Sequence, residues 1–181
     1  MRRTISTGFD PVYYMVFHPS EILEVRRLLP TWKLKLGAEF EVAELSMAKL
    51  IPRLIQEDPL YEINLDNENN SDTTVQDINE TLRGSLGVGA DGQPEAEAPV
   101  LEAFSEALTK AKELTNGVLL ITDVEAIHPY IRIGAIEQVL QGKFECPVIV
   151  FYPGVRTGKF GLKFLGIYPD DGNYRSVHVG G

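Results

Sequence analysis

Apolar residues fall along this chain in short dense runs, separated by stretches in which they recur at helical spacing. Pro11 to Phe17 is aromatic and β-branched throughout, which predicts a first strand buried on both faces. His18-Pro19 ends it. Ser20 can cap a helix that carries Glu21 and Glu24 in its first turn, with Ile22, Val25, Leu29, Trp32 and Leu36 along one face and Gly37 at its end. Pro30 falls inside that pattern and should kink the helix or end its first segment. Glu39 to Leu45 alternates as a second strand. Ser46 can cap a short helix bearing Leu50, Ile51, Leu54 and Ile55, with Pro52 inside it.

The second half has a clearer pattern. Pro99 at a first helical position opens a helix through Val100, Leu101, Phe104, Leu108, Ala111 and Leu114, which Asn116-Gly117 stops. Val118 to Thr122 is an uninterrupted apolar strand, a helix is expected from about Pro129 to Gln141, and Val148 to Tyr152 is a second such strand. Tyr152-Pro153-Gly154 reads either as part of a site or as a sharp turn after the strand. A glycine-rich loop, a segment Leu162 to Tyr168, a turn at Asp170-Asp171-Gly172-Asn173 and a last strand Tyr174 to Val179 complete the chain. The order predicts an α/β domain of three layers, with a mostly parallel sheet of four to five strands and helices on both faces.

At 181 residues, 44% apolar and 24% charged, the chain is long enough for one domain with a full core. The net charge of −9 is unevenly placed. Between Asp66 and Glu97 lie eight acidic residues and one basic, Arg83, a net −7 that leaves −2 for all the rest. The segment from 58 to 98 also holds Asn-rich and Gly-rich stretches around a modest helix at Val75, Ile78 and Leu82. It reads as an acidic, flexible surface insertion in a single domain spanning 1–181. Its acidity argues against a DNA-binding face. No apolar run approaches bilayer length, and Arg2-Arg3 is followed by no apolar run of a secretory signal. With a lone Cys146, expected as a packed thiol, these features point to a cytoplasmic protein away from membranes.

Open α/β sheets bind ligands just beyond the carboxyl ends of their strands, so the polar residues there are the candidates for chemistry. Leu119 to Asp123, with Glu125 two residues on, looks like the metal-binding strand of a P-loop ATPase, yet no Gly-x-x-x-x-Gly-Lys-Ser/Thr occurs in the chain. The topology is therefore P-loop-like without a P-loop. Asp123, Glu125 and His128 share one strand-to-helix connection and could converge on a cation, but the spacing matches no established metal motif, and no metal or cofactor is expected. Arg132, Tyr152, Arg156, Lys159, Asn173, Tyr174 and Arg175 gather cations and aromatics near strand ends. They form either an anion or partner-peptide site or a set of structural hydrogen bonds. No nucleophile elbow or reactive cysteine context is present, so no catalytic residue is assigned.

His128-Pro129-Tyr130-Ile131-Arg132 after an apolar strand, then Pro147 to Gly154, Leu162-Lys163-Phe164-Leu165-Gly166 and Asn173-Tyr174-Arg175, resembles the BrxB-like family. This is a family of unknown molecular function encoded in BREX bacteriophage-exclusion clusters. The strand Tyr13 to Phe17 followed by Pro19, Glu21 and Val25-Arg26 fits the family's opening. The resemblance implies a non-catalytic adaptor or assembly component, with no cofactor, working through protein contacts beside a DNA methyltransferase and a large ATPase. A PglZ-like protein of the alkaline-phosphatase superfamily is the most plausible partner, and direct nucleic-acid binding is not expected. Asp123, His128, Arg132, Tyr152, Gly154, Arg156, Asn173, Tyr174 and Arg175 are the residues expected to line a ligand or partner site. The alternative is a nucleotide- or phosphate-binding enzyme with its site at the carboxyl ends of the strands, using Asp123, Glu125, His128 and the Arg156/Lys159 loop.

Overall fold

The apolar run that opens the chain forms strand β1 (Val12–Phe17), which lies inside the sheet. The computed structural model describes residues 10–158, 161–171 and 177–180. A short 3-10 turn at Pro19–Glu21, capped by the His18 ring, leads into α1 (Ile22–Leu36). The chain continues through β2 (Val42–Ser46), α2 (Met47–Glu57), α3 (Tyr61–Glu68), α4 (Val75–Ser85), α5 (Pro99–Glu113) and β3 (Val118–Thr122). After β3 come α6 (Ile133–Val139), β4 (Val148–Thr157), β5 (Gly161–Phe164), β6 (Asp170–Asp171) and β7 (Val177–Gly180).

Five strands run parallel in the order β2-β3-β4-β1-β7. This is the expected mostly parallel sheet in P-loop-like order, with β1 between β4 and β7. The strand count exceeds expectation because β4 does not stop at Tyr152. It continues through Pro153 and Gly154 to Thr157 and pairs antiparallel with β5, which in turn pairs with β6. Gly154 makes that continuation possible: a Cβ there would lie 2.6 Å from the Tyr152 ring and 2.7 Å from the Lys163 carbonyl oxygen. Tyr152-Pro153-Gly154 is thus strand and not a sharp turn.

The two faces of the sheet are covered unequally. On one, α2, α5, α6 and the 124–127 turn bury the main core, which includes Tyr14, Leu50, Phe104, Leu119, Ile136 and Tyr152. On the other, α1 packs Val25, Leu29, Trp32 and Leu36 against Val118, Leu120 and Phe151, with the Trp32 and Phe151 rings stacked 6.1 Å apart. β3 is buried on both sides, as predicted. β1 is not: Val12, Tyr14 and Val16 are buried, while Tyr13, Met15 and Phe17 on the α1 side are only partly covered.

Other boundaries shift for identifiable reasons. α1 runs unbroken through Pro30, which sits on its exposed side. Residues 129–132 precede α6 instead of opening it; the His128–Pro129 peptide bond is cis and Tyr130 and Ile131 fold back onto the Ile127 carbonyl. Ser46 holds the N-cap position of α2, but its hydroxyl makes no capping bond. Ser20 lies within the 3-10 turn, not at a helix cap. Leu162 to Tyr168 splits into β5 and a turn, where Leu165 and Gly166 adopt φ of 50° and 71°. The segment between 58 and 98 carries α3 and α4, which pack on α2, and it contributes Leu86, Val88 and Ala98 to the main core. Gly172, Asn173, the first half of the expected last strand and Lys159 lie outside the described residues.

Candidate functional site

Asp123 ends β3 in the left-handed region, at φ 56° and ψ 38°, a conformation that aspartate tolerates better than most side chains. This turn aims its carboxylate back at the end of β2 and at α1. Arg26 Nε donates to Asp123 at 2.9 Å, and Arg26 Nη2 donates to Glu125 at 2.8 Å. The Ser46 hydroxyl that does not cap α2 donates to Asp123 at 2.7 Å. The Thr122 hydroxyl lies 3.2 Å from the Glu44 carboxylate and 3.3 Å from that of Asp123, and Lys33 closes the network on Glu44 at 2.5 Å. Asp123 and Glu125 therefore meet a guanidinium already supplied by the chain. The crevice beneath them, lined by Phe17, Val25, Leu29, Thr122 and Phe151, has a volume of about 20 Å³. Small-molecule sites are more than ten times larger.

His128 turns to the other side. Its ring stacks on Phe164 at 4.5 Å between centroids and 15° between planes, and lies 4.0 Å from the Tyr168 ring. Both ring nitrogens are buried and have no hydrogen-bond partner among the described residues. Burial, reinforced by the nearby Arg132 charge, lowers the His128 pKa to about 4, so the ring is neutral at physiological pH. With Arg132, Tyr152, Phe164, Val124 and Ile127 it encloses a cavity of about 10 Å³. That is barely the size of one water molecule. Tyr152 is 1% exposed and packs edge-on against both Tyr14 and Phe164.

The sequence-predicted residues thus divide between two places. Asp123 belongs to the α1 side of the sheet; His128, Arg132 and Tyr152 meet on the other side, under the β4–β5 hairpin. Gly154 lies inside that hairpin. Arg156 is exposed and acts on His178, whose pKa is lowered by burial and then by this charge. Asn173, Tyr174 and Arg175 lie outside the described residues. Among the described residues, no group of three or more His, Cys, Asp or Glu side chains is arranged to hold a metal ion. Cys146 is buried, and burial raises its thiol pKa, followed in effect by the Glu145 charge.

Several participants carried no sequence signal. Arg26 and Asp123 are 97 residues apart, and nothing local marks either as the other's partner. Glu137 of α6 accepts a 2.7 Å hydrogen bond from the Tyr14 hydroxyl across the core; burial pushes its pKa up and the Tyr14 bond opposes the rise. A wider cleft of about 410 Å³ lies between α2, α4 and α5, with Arg53, Glu57, Asp58, Ser85, Glu102 and Glu106 on its walls.

A family model described as BREX protein BrxB matches residues 43–179. No curated protein and no solved structure matches the chain. The match covers most of the chain, which therefore belongs to the BrxB family and is a component of a BREX phage-defence system.

Proposed function

We propose that this chain is a non-catalytic adaptor of its BREX system, acting in the cytoplasm through contacts with other BREX components. A PglZ-like protein of the alkaline-phosphatase superfamily is the foremost partner. One observation carries the reading: the polar groups at the carboxyl ends of the strands are either bonded within the chain or packed away against its aromatic rings. Asp123 is held by Arg26, Ser46 and Thr122, and His128 is wedged neutral between aromatic rings. A catalytic acid, base or ligand-holding group needs a substrate within hydrogen-bond reach; the cavities beside these groups, about 20 and 10 Å³, admit no nucleotide.

The contact surface is then the outer side of the β4–β5 hairpin, where Val155 and Arg156 are exposed. The aromatic packing of His128, Phe164 and Tyr168 beneath holds that hairpin in shape. A tagged chain expressed with its whole system tests this reading. It should co-purify with at least one other component, the PglZ-like protein above all. A paired Val155→Asp and Arg156→Glu variant should lose most of that recovery while keeping its circular dichroism. Recovery of no component by the intact chain would sink the adaptor reading.

A further inference from the structure

The cleft of about 410 Å³ between α2, α4 and α5 has the size of a ligand site, unlike the spaces of about 20 and 10 Å³ beside Asp123 and His128. Its walls come from residues 53–59, 84–85 and 99–106, over the β2–β3 end of the sheet. Four carboxylates, of Glu57, Asp58, Glu102 and Glu106, stand there with one guanidinium, of Arg53, a net −3.

The acids are not equally engaged. Arg53 is taken by Glu57 at 3.3 Å, and Asp58 accepts the Leu60 N–H at 2.8 Å. Glu102 and Glu106, one turn apart on α5, make no ion pair or hydrogen bond among the described residues. Like charges at that spacing oppose the helix that carries them. Arg83, the one base between Asp66 and Glu97, does not offset them, because its Nη2 donates to the Pro129 carbonyl at 3.3 Å, outside the cleft.

Two neighbouring residues of α4 are left unexplained by the fold. Ser85, on the cleft wall, is 7% exposed, and its hydroxyl reaches only the Thr81 carbonyl, at 3.4 Å. That is beyond the usual O–H···O range, and buried hydroxyls are normally well partnered. Its oxygen accepts no hydrogen bond among the described residues, so an N–H donor entering the cleft would satisfy it. Gly84 has no left-handed φ, and a Cβ there would meet nothing within 4 Å. Glycine weakens a helix relative to alanine, and here its one effect is to keep that wall clear.

The rim adds an apolar element. Pro59 on the wall leads directly into Leu60 and α3, whose half-buried side carries Tyr61, Asn64 and Glu68. Its apolar residues point outward instead. Leu60 and Ile63, three apart and therefore neighbours on the helix surface, are 55% and 58% exposed.

We propose that this cleft docks a basic segment of a partner protein, with an arginine or lysine side chain among Glu102, Glu106 and Ser85 and the segment's apolar neighbours on Leu60 and Ile63. A free polyamine would answer the carboxylates but leave Leu60 and Ile63 uncovered. The inference goes beyond the adaptor reading by adding a second contact surface, built on elements separate from the β4–β5 hairpin.

The probe is an acetylated peptide of alternating leucine and arginine, titrated into the full chain at low salt while amide chemical shifts are followed. Shifts should concentrate at residues 53–60, 84–85 and 102–106, and binding should weaken as salt rises. Citrulline in place of arginine keeps the shape and removes the charge, and should cost at least fivefold in affinity. Glu102→Gln/Glu106→Gln, and separately Gly84→Leu, should each cost as much with an unchanged circular dichroism spectrum. Shifts elsewhere, equal binding of the citrulline peptide, or indifference to both variants overturns the inference. Spermidine that gives the same shifts and binds more tightly than the peptide also overturns it, and assigns the cleft to a free polyamine. The titration needs no other BREX component, so a chain that binds the peptide but recovers none keeps the cleft and loses the adaptor role.

Discussion

His128 sits neutral between Phe164 and Tyr168 with two buried ring nitrogens, and acid tests it directly. Its pKa is about 4 in the folded chain against an ordinary 6.5 when unfolded, so the unfolded state binds more protons between those values. The contribution is fully present above pH 6.5 and is lost as pH falls toward 4. The loss should be roughly 1–3 kcal/mol over that window, the lower end reflecting solvent screening. His128→Phe keeps the ring stacking and removes the titration. Urea titrations at several pH values should therefore give a visibly flatter profile for the variant between pH 6.5 and 4. Parallel profiles for the two proteins would mean that His128 is not held as described. Asp123 makes the complementary point: a side chain that looked like a metal ligand in sequence spends its lone pairs on Arg26, Ser46 and Thr122.

α1 is the one described helix packed on its face of the sheet, through Trp32, Val25 and Leu29 on Phe151 and its neighbours. Trp32→Ala removes the stacking and much of the helix's apolar contact. It should lower stability by about 3 kcal/mol, read as a lower urea midpoint with an unchanged slope. An effect below about 0.5 kcal/mol, as for an ordinary surface position, would contradict the packing described.

What was legible in the sequence follows the same physics. Strands β3 and β4, the α5 start at Pro99 and the α1 stripe were readable because their apolar spacing and caps are local. The extension of β4 past Gly154 was not: Pro-Gly favours a turn locally, and only the pairing with β5 decides otherwise. The helix expected from Pro129 begins instead at Ile133, because residues 128–132 fold back onto the Ile127 turn. Half of the candidate site shared this limit. His128, Arg132 and Tyr152 were named from sequence and do meet, but their separation from Asp123 by the sheet depends on strand order, which no local pattern encodes.

For the whole molecule, the strand order puts polar groups beyond the carboxyl ends of the strands, where open α/β sheets bind ligands, and this chain ties Asp123 and Glu125 to its own Arg26. Its BrxB membership places it in phage defence; the adaptor role is the proposal built on that setting. Phage protection by cells whose BREX system carries Asp123→Asn or His128→Phe, each first found folded by circular dichroism, tests that role most directly. Asparagine keeps the left-handed turn and most of the hydrogen bonds, and phenylalanine keeps the stack, so an adaptor retains its surface in both. The account predicts plaque counts within a few fold of the unmutated system. Loss of protection in either variant, with the fold intact and the other components still co-purifying, would contradict it and return these residues to chemistry.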